Sequence, residues 1–341
     1  MAYSVLDVRF WRAYLITMRP YLLFVSGAAG AVGLAFIPEP VYWRVVLAFF
    51  PLFFSYGLGQ ALTDCFQTDT DAISSPYRPL VRGTVSRRSV MTVSLIGLGI
   101  GVLIVGWLSW FALVLAALTV VGLLTYTFFK RRWWGGPAWN SWIVALLPLI
   151  GRHADPGYRL WLGLGTRSES SAVSVMSRPE LAFDLAAAAV FFGYANFVVM
   201  GYFKDISADR QTGYNTLPVV FGWTANAVFS DILAVLLAGL TGIAMWIAAG
   251  SGGDSPIRVQ SLTAIAVYVV AVAISLWAQV AIHRTRDEHR SGGPIANVVR
   301  AFILFSLALA LTLKPGWLIP AAVFYGLFEL VLRVRPEQSQ V

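Results

Sequence analysis

Nine or ten long apolar stretches follow one another between residues 20 and 333, and this succession constrains the fold more than any other feature of the chain. They lie near 20–38, 43–63, 89–107, 109–129, 138–151, 180–201, 223–249, 261–283 and 297–313. A segment of about 20 apolar residues spans the hydrocarbon of a bilayer as a helix, and helices satisfy every backbone polar group where water is absent. Charged residues make up 12% of the chain and hydrophobic ones 58%, against roughly 25% charged in a soluble protein. So few charges cannot clothe a soluble globule of this size. The expectation is an all-α membrane protein with about nine transmembrane helices and the lipid bilayer as its main solvent. A further short run, 317–333, follows Lys314-Pro315-Gly316 and forms either a tenth span or a returning half, since proline and glycine permit both.

The same residues bound the organisation. No linker, low-complexity tract or strong internal repeat interrupts the series, so 20–333 reads as one transmembrane domain, with 334–341 as a tail. The opening 1–19 lacks the pattern of a secretory signal. It reads as an amphipathic segment lying on the membrane, with Val5, Val8, Phe10, Trp11, Leu15 and Ile16 opposite Arg9, Arg12 and Arg19. With the N-terminus cytoplasmic, 16 Lys and Arg fall on the cytoplasmic side and 7 on the other, which sets the orientation. The segment 151–179 is then the main extracytoplasmic loop, and a bacterial inner membrane is the expected location. One cysteine, Cys65, excludes an intramolecular disulfide, and His153, His283 and His289 show no zinc spacing. The net charge of +8 sits in short loops between spans, where membrane orientation accounts for it without nucleic acid.

Two acidic clusters stand out against this background. The first runs Gln60-Ala-Leu-Thr63-Asp64-Cys65-Phe66-Gln67-Thr68-Asp69-Thr70-Asp71 and continues into Pro76-Tyr77-Arg78-Pro79-Leu80-Val81-Arg82-Gly83. On a continuous helix Gln60, Asp64, Gln67 and Asp71 share one face, while Asp69 points away. Carboxylates beside a span are costly without a cation, and hard oxygen ligands suit Mg²⁺. The plainer reading is a solvated helix end. The second cluster runs Tyr202-Phe203-Lys204-Asp205-Ile206-Ser207-Ala208-Asp209-Arg210-Gln211-Thr212-Gly213-Tyr214-Asn215-Thr216-Leu217-Pro218. Asp205 and Asp209 are one helical turn apart and can reach a common ion, or they simply pair with Lys204 and Arg210. Both clusters fall on the same predicted side of the membrane. Two acidic helix ends that face each other can hold metal ions bridging a diphosphate, with nearby Arg and Lys on its oxygens.

The strings DAxxxPYRPLxxG and KDIxxDRxxGxxTLP, with Tyr126-Thr-Phe-Phe-Lys130 between them matching YxxxK, resemble the UbiA superfamily of intramembrane prenyltransferases and occur in that superfamily's order. The likeness runs from about residue 20 to about residue 313. It implies about nine helices around a central cavity with cytoplasmic helical cap loops, and an isoprenyl diphosphate held through Mg²⁺. Carried over position by position, Asp71, Asp205 and Asp209 are metal-site carboxylates, with Asp64, Gln67 and Gln60 as further candidates. Arg78, Lys130, Lys204 and Arg210 are the candidate diphosphate contacts, and Tyr126 lies near the departing oxygen. Lys130 and Lys204, with Tyr126, form the candidate catalytic set.

The first motif departs from the superfamily's NDxxDxxxD. Aligned through Asp71, Thr63 replaces the Asn and Gln67 the middle Asp, while Asp64 is kept; a second frame takes Gln60 and Asp64 as NxxxD and leaves Thr68 last. Glutamine coordinates through its amide oxygen but brings no charge. The implied reaction transfers a prenyl group from the diphosphate to an aromatic or other lipophilic acceptor. A superfamily-like terpene cyclase is the alternative, and a transporter the reading from another class. A transporter calls for carboxylates near the middle of the spans, whereas these sit at span ends. Metal and cationic side chains would offset charge growing on the leaving diphosphate, and aromatic faces stabilise an allylic cation. The chain is 14% aromatic, but each ring taken singly reads as lipid contact. Lys130-Arg131-Arg132-Trp133-Trp134 reads as a basic and aromatic anchor apart from Lys130, Asn140 as a helix-packing amide, and His283 and His289 as parts of a basic loop.

Overall fold

A computed structural model describes residues 2–155, 178–250 and 259–335. Most of the expected loop 151–179 and most of the expected tail 334–341 lie outside these residues. Among the described residues thirteen α-helices are joined by turns and short 3₁₀ segments, and there is no strand. Among the described residues eight helices are long and apolar enough to span a bilayer, or nine when a bent N-terminal pair counts as one span.

That pair is α1 (Val8–Met18) and the segment from Pro20 into α2 (Leu23–Ala35), bent by 52°. The break lies at Arg19, which adopts a left-handed conformation (φ 52°) and caps α1 through its N–H to the Ile16 carbonyl. Few non-glycine residues adopt this region. The following Pro20 has no N–H to extend α1 and opens the next turn instead. α1 buries Phe10, Ala13, Tyr14, Thr17 and Met18 against the bundle and leaves Val8, Trp11 and Leu15 exposed. The apolar face read from the sequence is thus divided between protein and surroundings.

The long helices that follow are α3 (Tyr42–Asp64), α5 (Arg87–Leu108), α6 (Trp110–Lys130), α7 (Gly135–His153), α8 (Arg178–Gly201), α10 (Leu217–Gly250), α11 (Val259–Thr285) and α12 (Gly292–Leu313); all but α7 meet the length and apolarity of a span, as does the last helix of the chain. Two short helices, α4 (Thr68–Ser74) and α9 (Ile206–Gln211), pack on each other across one end of the bundle. Without a hydrophobic force between helices in lipid, close backbone approach and buried polar pairs do the packing. At Gly33 of α2 an added Cβ would stand 1.9 Å from the Pro148 carbonyl oxygen of α7, so only glycine lets these helices meet. Between α8, α10 and α11, Ser230 bonds to Asn196 at 2.5 Å and to Gln279 at 3.0 Å, all three buried.

α12 runs through the interior with 83% of its apolar window buried, against 17% for α13 (Leu318–Arg333). The run left open in the sequence therefore forms a full helix on the outside of the bundle. Arg300 of α12 ties it down by bonds of 2.7 and 3.0 Å to the Glu329 carboxylate. Phe324 and Phe328 of α13 pack on Phe24 of α2.

Candidate active site

The two cap helices lie over a cavity lined by α3, α6, α7 and α8, and the local sequence explains how each cap is made. α3 ends at Asp64, three tight-turn residues follow, and α4 begins at Thr68. The single helix expected over 60–71 is therefore broken. The N–H groups of Phe66 and Gln67 bond back to Thr63 and Asp64, which tightens the last turn instead of extending it. Gln60, Asp64, Gln67 and Asp71 nevertheless line one cavity, because α4 folds back over its mouth. Asp69 faces outward and meets Arg131 at 3.5 Å. Pro76 follows α4, and the turn after it carries Arg78 inward, buried.

The second cap has a defined stop and start. α9 ends in a left-handed Gly213 (φ 75°), and the Tyr214 N–H bonds to the Asp209 carbonyl at 2.8 Å, the closing bond expected where glycine follows a helix end. Thr216 then donates its hydroxyl to Asp209 Oδ2 at 3.0 Å, and Pro218 lies in the first turn of α10. The caps are joined by Thr70 and Thr212 at 3.2 Å, and the Asn215 N–H ties the turn after α9 to the end of α6 through the Arg131 carbonyl at 3.0 Å. Thus the Arg131-Arg132 segment reaches the second motif as well as the surface, while Trp133 and Trp134 remain exposed.

The mouth is dense in charge. Arg19 Nη2 donates to both oxygens of Asp64 at 3.1 Å, Gln60 Nε2 donates to Asp64 at 2.5 Å, and Arg78 pairs with Asp71 and lies 3.7 Å from Asp64. Lys130 Nζ donates to the side-chain oxygen of Gln67 at 2.7 Å. Tyr126 and Lys130, four apart on α6, face the same cavity, as do Lys204 and Asp205. Asp209 lies one turn beyond Asp205 with no exposed surface, outside the cavity lining. Arg210, adjacent to it on a six-residue helix, faces outward and exposed, so the cavity receives Asp205 but not Arg210.

Burial pushes the Asp209 carboxyl up to about 7, against the opposing pull of Lys130. Burial also holds Asp71 above the usual carboxylate range, although Arg78 pulls it down. The Arg78 guanidinium is held above its ordinary value: burial opposes its charge, but Asp71, Asp64 and Asp205 together outweigh that cost.

The donor set can be tested against a metal ion. Oδ1 of Asp205 and Oδ1 of Asp209 are buried and accept no hydrogen bond, a costly state unless a cation completes it. Among the described residues no three His, Cys, Asp or Glu side chains converge on one metal position. This suits an ion held by one or two carboxylates that draws its other oxygens from a phosphate and water, the usual habit of Mg²⁺.

The order of the two motifs around such a mouth is matched by comparison with known families: the model of the UbiA prenyltransferase family fits residues 22–293. The chain belongs to this family. It is a multi-pass membrane prenyltransferase. Digeranylgeranylglyceryl phosphate synthase of Natronomonas pharaonis is 31% identical over 243 residues, covering 66% of this chain and 79% of that protein. The synthase of Pyrococcus horikoshii is 26% identical over 234 residues, 66% of this chain and 74% of that one. Among solved structures, a UbiA homolog from Archaeoglobus fulgidus bound to GPP and Mg²⁺ superposes with a TM-score of 0.58 at 16% identity, over 87% of this chain and 99% of that chain. The apo UbiA homolog from Aeropyrum pernix K1 gives 0.57 at 19% identity, over 92% of this chain and 98% of that one. At such identities the structures establish a common fold.

Several lining residues of this UbiA-family chain were not singled out from sequence. Arg19 read as part of a surface face; its one signal is a charge placed directly before Pro20 at the first apolar run. Tyr56 and Tyr194 also line the cavity, with Tyr194 bonded to Tyr56 at 3.0 Å and receiving the Nδ2 of Asn140 at 3.3 Å. Asn140 is the helix-packing amide expected, and it also faces the cavity. His283 bonds to Asp231 at 2.7 Å and does not line the cavity.

Proposed function

We propose that this chain transfers a prenyl group from an isoprenyl diphosphate to a lipophilic acceptor at the cytoplasmic face of the membrane, with Mg²⁺ held through Asp205 and Asp209. The observation that carries this reading is the open, buried Asp205 oxygen facing a cavity lined by Arg78, Lys130 and Lys204, with Asp209, also open at one oxygen, one helical turn behind it. Mg²⁺, when bound, supplies positive charge that offsets the charge of the departing diphosphate. Arg78, Lys130 and Lys204 contact the diphosphate oxygens, and Tyr126 donates its hydroxyl near the bridging oxygen. The carbon–oxygen bond breaks with its electron pair leaving on the diphosphate. The allylic cation is then captured by a nucleophilic oxygen or carbon of the acceptor, which loses a proton. Tyr56, Tyr194 and Phe197 line the chamber below and can face that cation with their rings.

The cavity beneath the caps has a volume of about 130 Å³, and an apolar recess of about 280 Å³ opens between α3, α5 and α6. Ser55, Thr119 and Leu147 line both, so the recess continues the chamber and is where a prenyl tail fits. The shared name of the relatives, digeranylgeranylglyceryl phosphate synthase, supports a lipid-like acceptor. Residues 20–333 act as one domain, with 1–19 at the membrane surface and its last residue, Arg19, turned into the cavity.

The test is diphosphate release by purified protein from geranyl, farnesyl and geranylgeranyl diphosphates. It is run with and without Mg²⁺ and with aromatic acids or glyceryl phosphate lipids as acceptors, followed by mass spectrometry. Release that requires Mg²⁺ and falls by at least ~100-fold in Asp205→Ala, with a prenylated acceptor as product, is the expected result. A cyclic hydrocarbon formed without acceptor would replace transfer with cyclisation, and no release from any donor would overturn the reading.

A further inference from the structure

The first acidic cluster differs in kind from the second. Every side chain in it that could reach a metal is engaged inside the protein. Both Asp64 oxygens take the Arg19 guanidinium at 3.1 Å and Oδ1 also takes the Gln60 amide at 2.5 Å. Asp71 is paired with Arg78. The Gln67 oxygen takes the Lys130 ammonium at 2.7 Å, and Thr63 donates its hydroxyl back to the Gln60 carbonyl at 3.1 Å. In the second cluster Asp205 and Asp209 each keep a buried oxygen that accepts nothing.

We propose that the first cluster of this chain is an ion-paired wall, not a metal site, and that one divalent cation, on Asp205 and Asp209, accompanies each bound diphosphate. The inference rests on the diphosphate reading above and refines it. Two positions decide the matter. Thr63 and Gln67 stand where carboxamide and carboxylate are expected in the superfamily pattern: Gln67 lacks the charge of the carboxylate, and Thr63 offers no amide oxygen and spends its hydroxyl on the Gln60 carbonyl. Asp64 has a separate reason to stay paired: it is the last residue of α3, where the partial negative charge of the helix end disfavours an anion and favours a nearby cation. Arg19 meets that need from the bend between α1 and α2, 8% exposed, and cannot leave without stranding a buried carboxylate. Asp64 and Asp71 therefore hold Arg19 and Arg78 at the cavity lining, where a planar guanidinium suits diphosphate oxygens. Positive charge on this side comes from the chain itself.

The experiment uses the full chain in detergent with farnesyl S-thiolodiphosphate, whose bridging sulfur resists cleavage, and Mn²⁺ in place of Mg²⁺. Free Mn²⁺ is counted by electron paramagnetic resonance at saturating analogue. The expected result is one Mn²⁺ per bound analogue in the natural sequence and two in Thr63→Asn/Gln67→Asp. In chelator, Arg19→Gln is expected to weaken analogue binding by ~10-fold or more, as for loss of a charge-assisted bond. Two Mn²⁺ in the natural sequence would overturn the proposal even if the double variant failed to fold. A count of one in a folded double variant would overturn the assignment to Thr63 and Gln67, and unchanged affinity in Arg19→Gln would overturn the part given to Arg19. Failure of the analogue to bind at any Mn²⁺ concentration is a separate outcome, which overturns the diphosphate reading itself.

Discussion

Asp209 shows how a single residue is prepared for a task by its surroundings. It has no exposed surface, one oxygen is held by Thr216, and the other accepts nothing. Its carboxyl is pushed up to about 7 by burial, so the metal-free folded protein retains a proton that the unfolded chain gives up near the ordinary value of 3.8. Stability from this group is therefore fully present below 3.8 and is lost as pH rises through about 7. A divalent cation reverses the preference, because it requires the deprotonated form and its binding expels the proton. Mn²⁺ affinity is expected to rise about tenfold between pH 6 and pH 8. In Asp209→Asn the slope should flatten and the affinity fall. Titration of Mn²⁺ at three pH values checks this, and a flat profile in the natural sequence would contradict it.

At the scale of elements, the short helix α9 depends on its ends. Six residues are too few for a stable isolated helix, so the Gly213 turn, the Thr216 bond and contact with α4 hold it in place. Gly213 has open space around its missing Cβ, so a substitution there meets backbone strain alone. Gly213→Ala is expected to cost about 1 kcal/mol and, by loosening the turn that seats Asp209, to weaken Mn²⁺ binding. Gly213→Asn should recover most of both losses, since asparagine tolerates the left-handed region. Thermal melting and Mn²⁺ titration of the two variants make the comparison, and equal behaviour of Ala and Asn would argue against the turn as the cause.

The whole molecule decides what length of chain the cavity accepts. Its polar mouth is lined by charge pairs, but the apolar recess between α3, α5 and α6 continues the chamber beyond Thr119 and Leu147. Gly101 lines the recess, and a Cβ added there meets Pro51 at 3.5 Å, an ordinary contact. Gly101→Leu is therefore expected to fold normally while filling the recess. The ratio of kcat/KM for geranylgeranyl over geranyl diphosphate should fall by ~10-fold or more, as a few methylenes lose their place. Competition between the two donors measures it directly, and an unchanged ratio would put the tail elsewhere.

Much of this was written locally. Runs of about 20 apolar residues dictate helices because lipid leaves the backbone no other partner. The second motif carries its own stop in Gly213 and its own start in Thr216 and Pro218, so the sequence alone determined the membrane class, the likeness to UbiA proteins and the pair Asp205 and Asp209 as neighbours. Other features came only with the assembled bundle. Spacing on an ideal helix could not foresee the break after Asp64, since nothing in 60–71 forbids a continuous helix. The rank of Arg19 depends on an unusual backbone angle at the α1–α2 bend and on a carboxylate 45 residues away. Arg210 and Asp209 are neighbours in sequence, yet one faces outward and the other is buried. Tertiary structure decided which carboxylates remain open to a cation, because ion pairing is set by distance in space, which sequence separation does not encode.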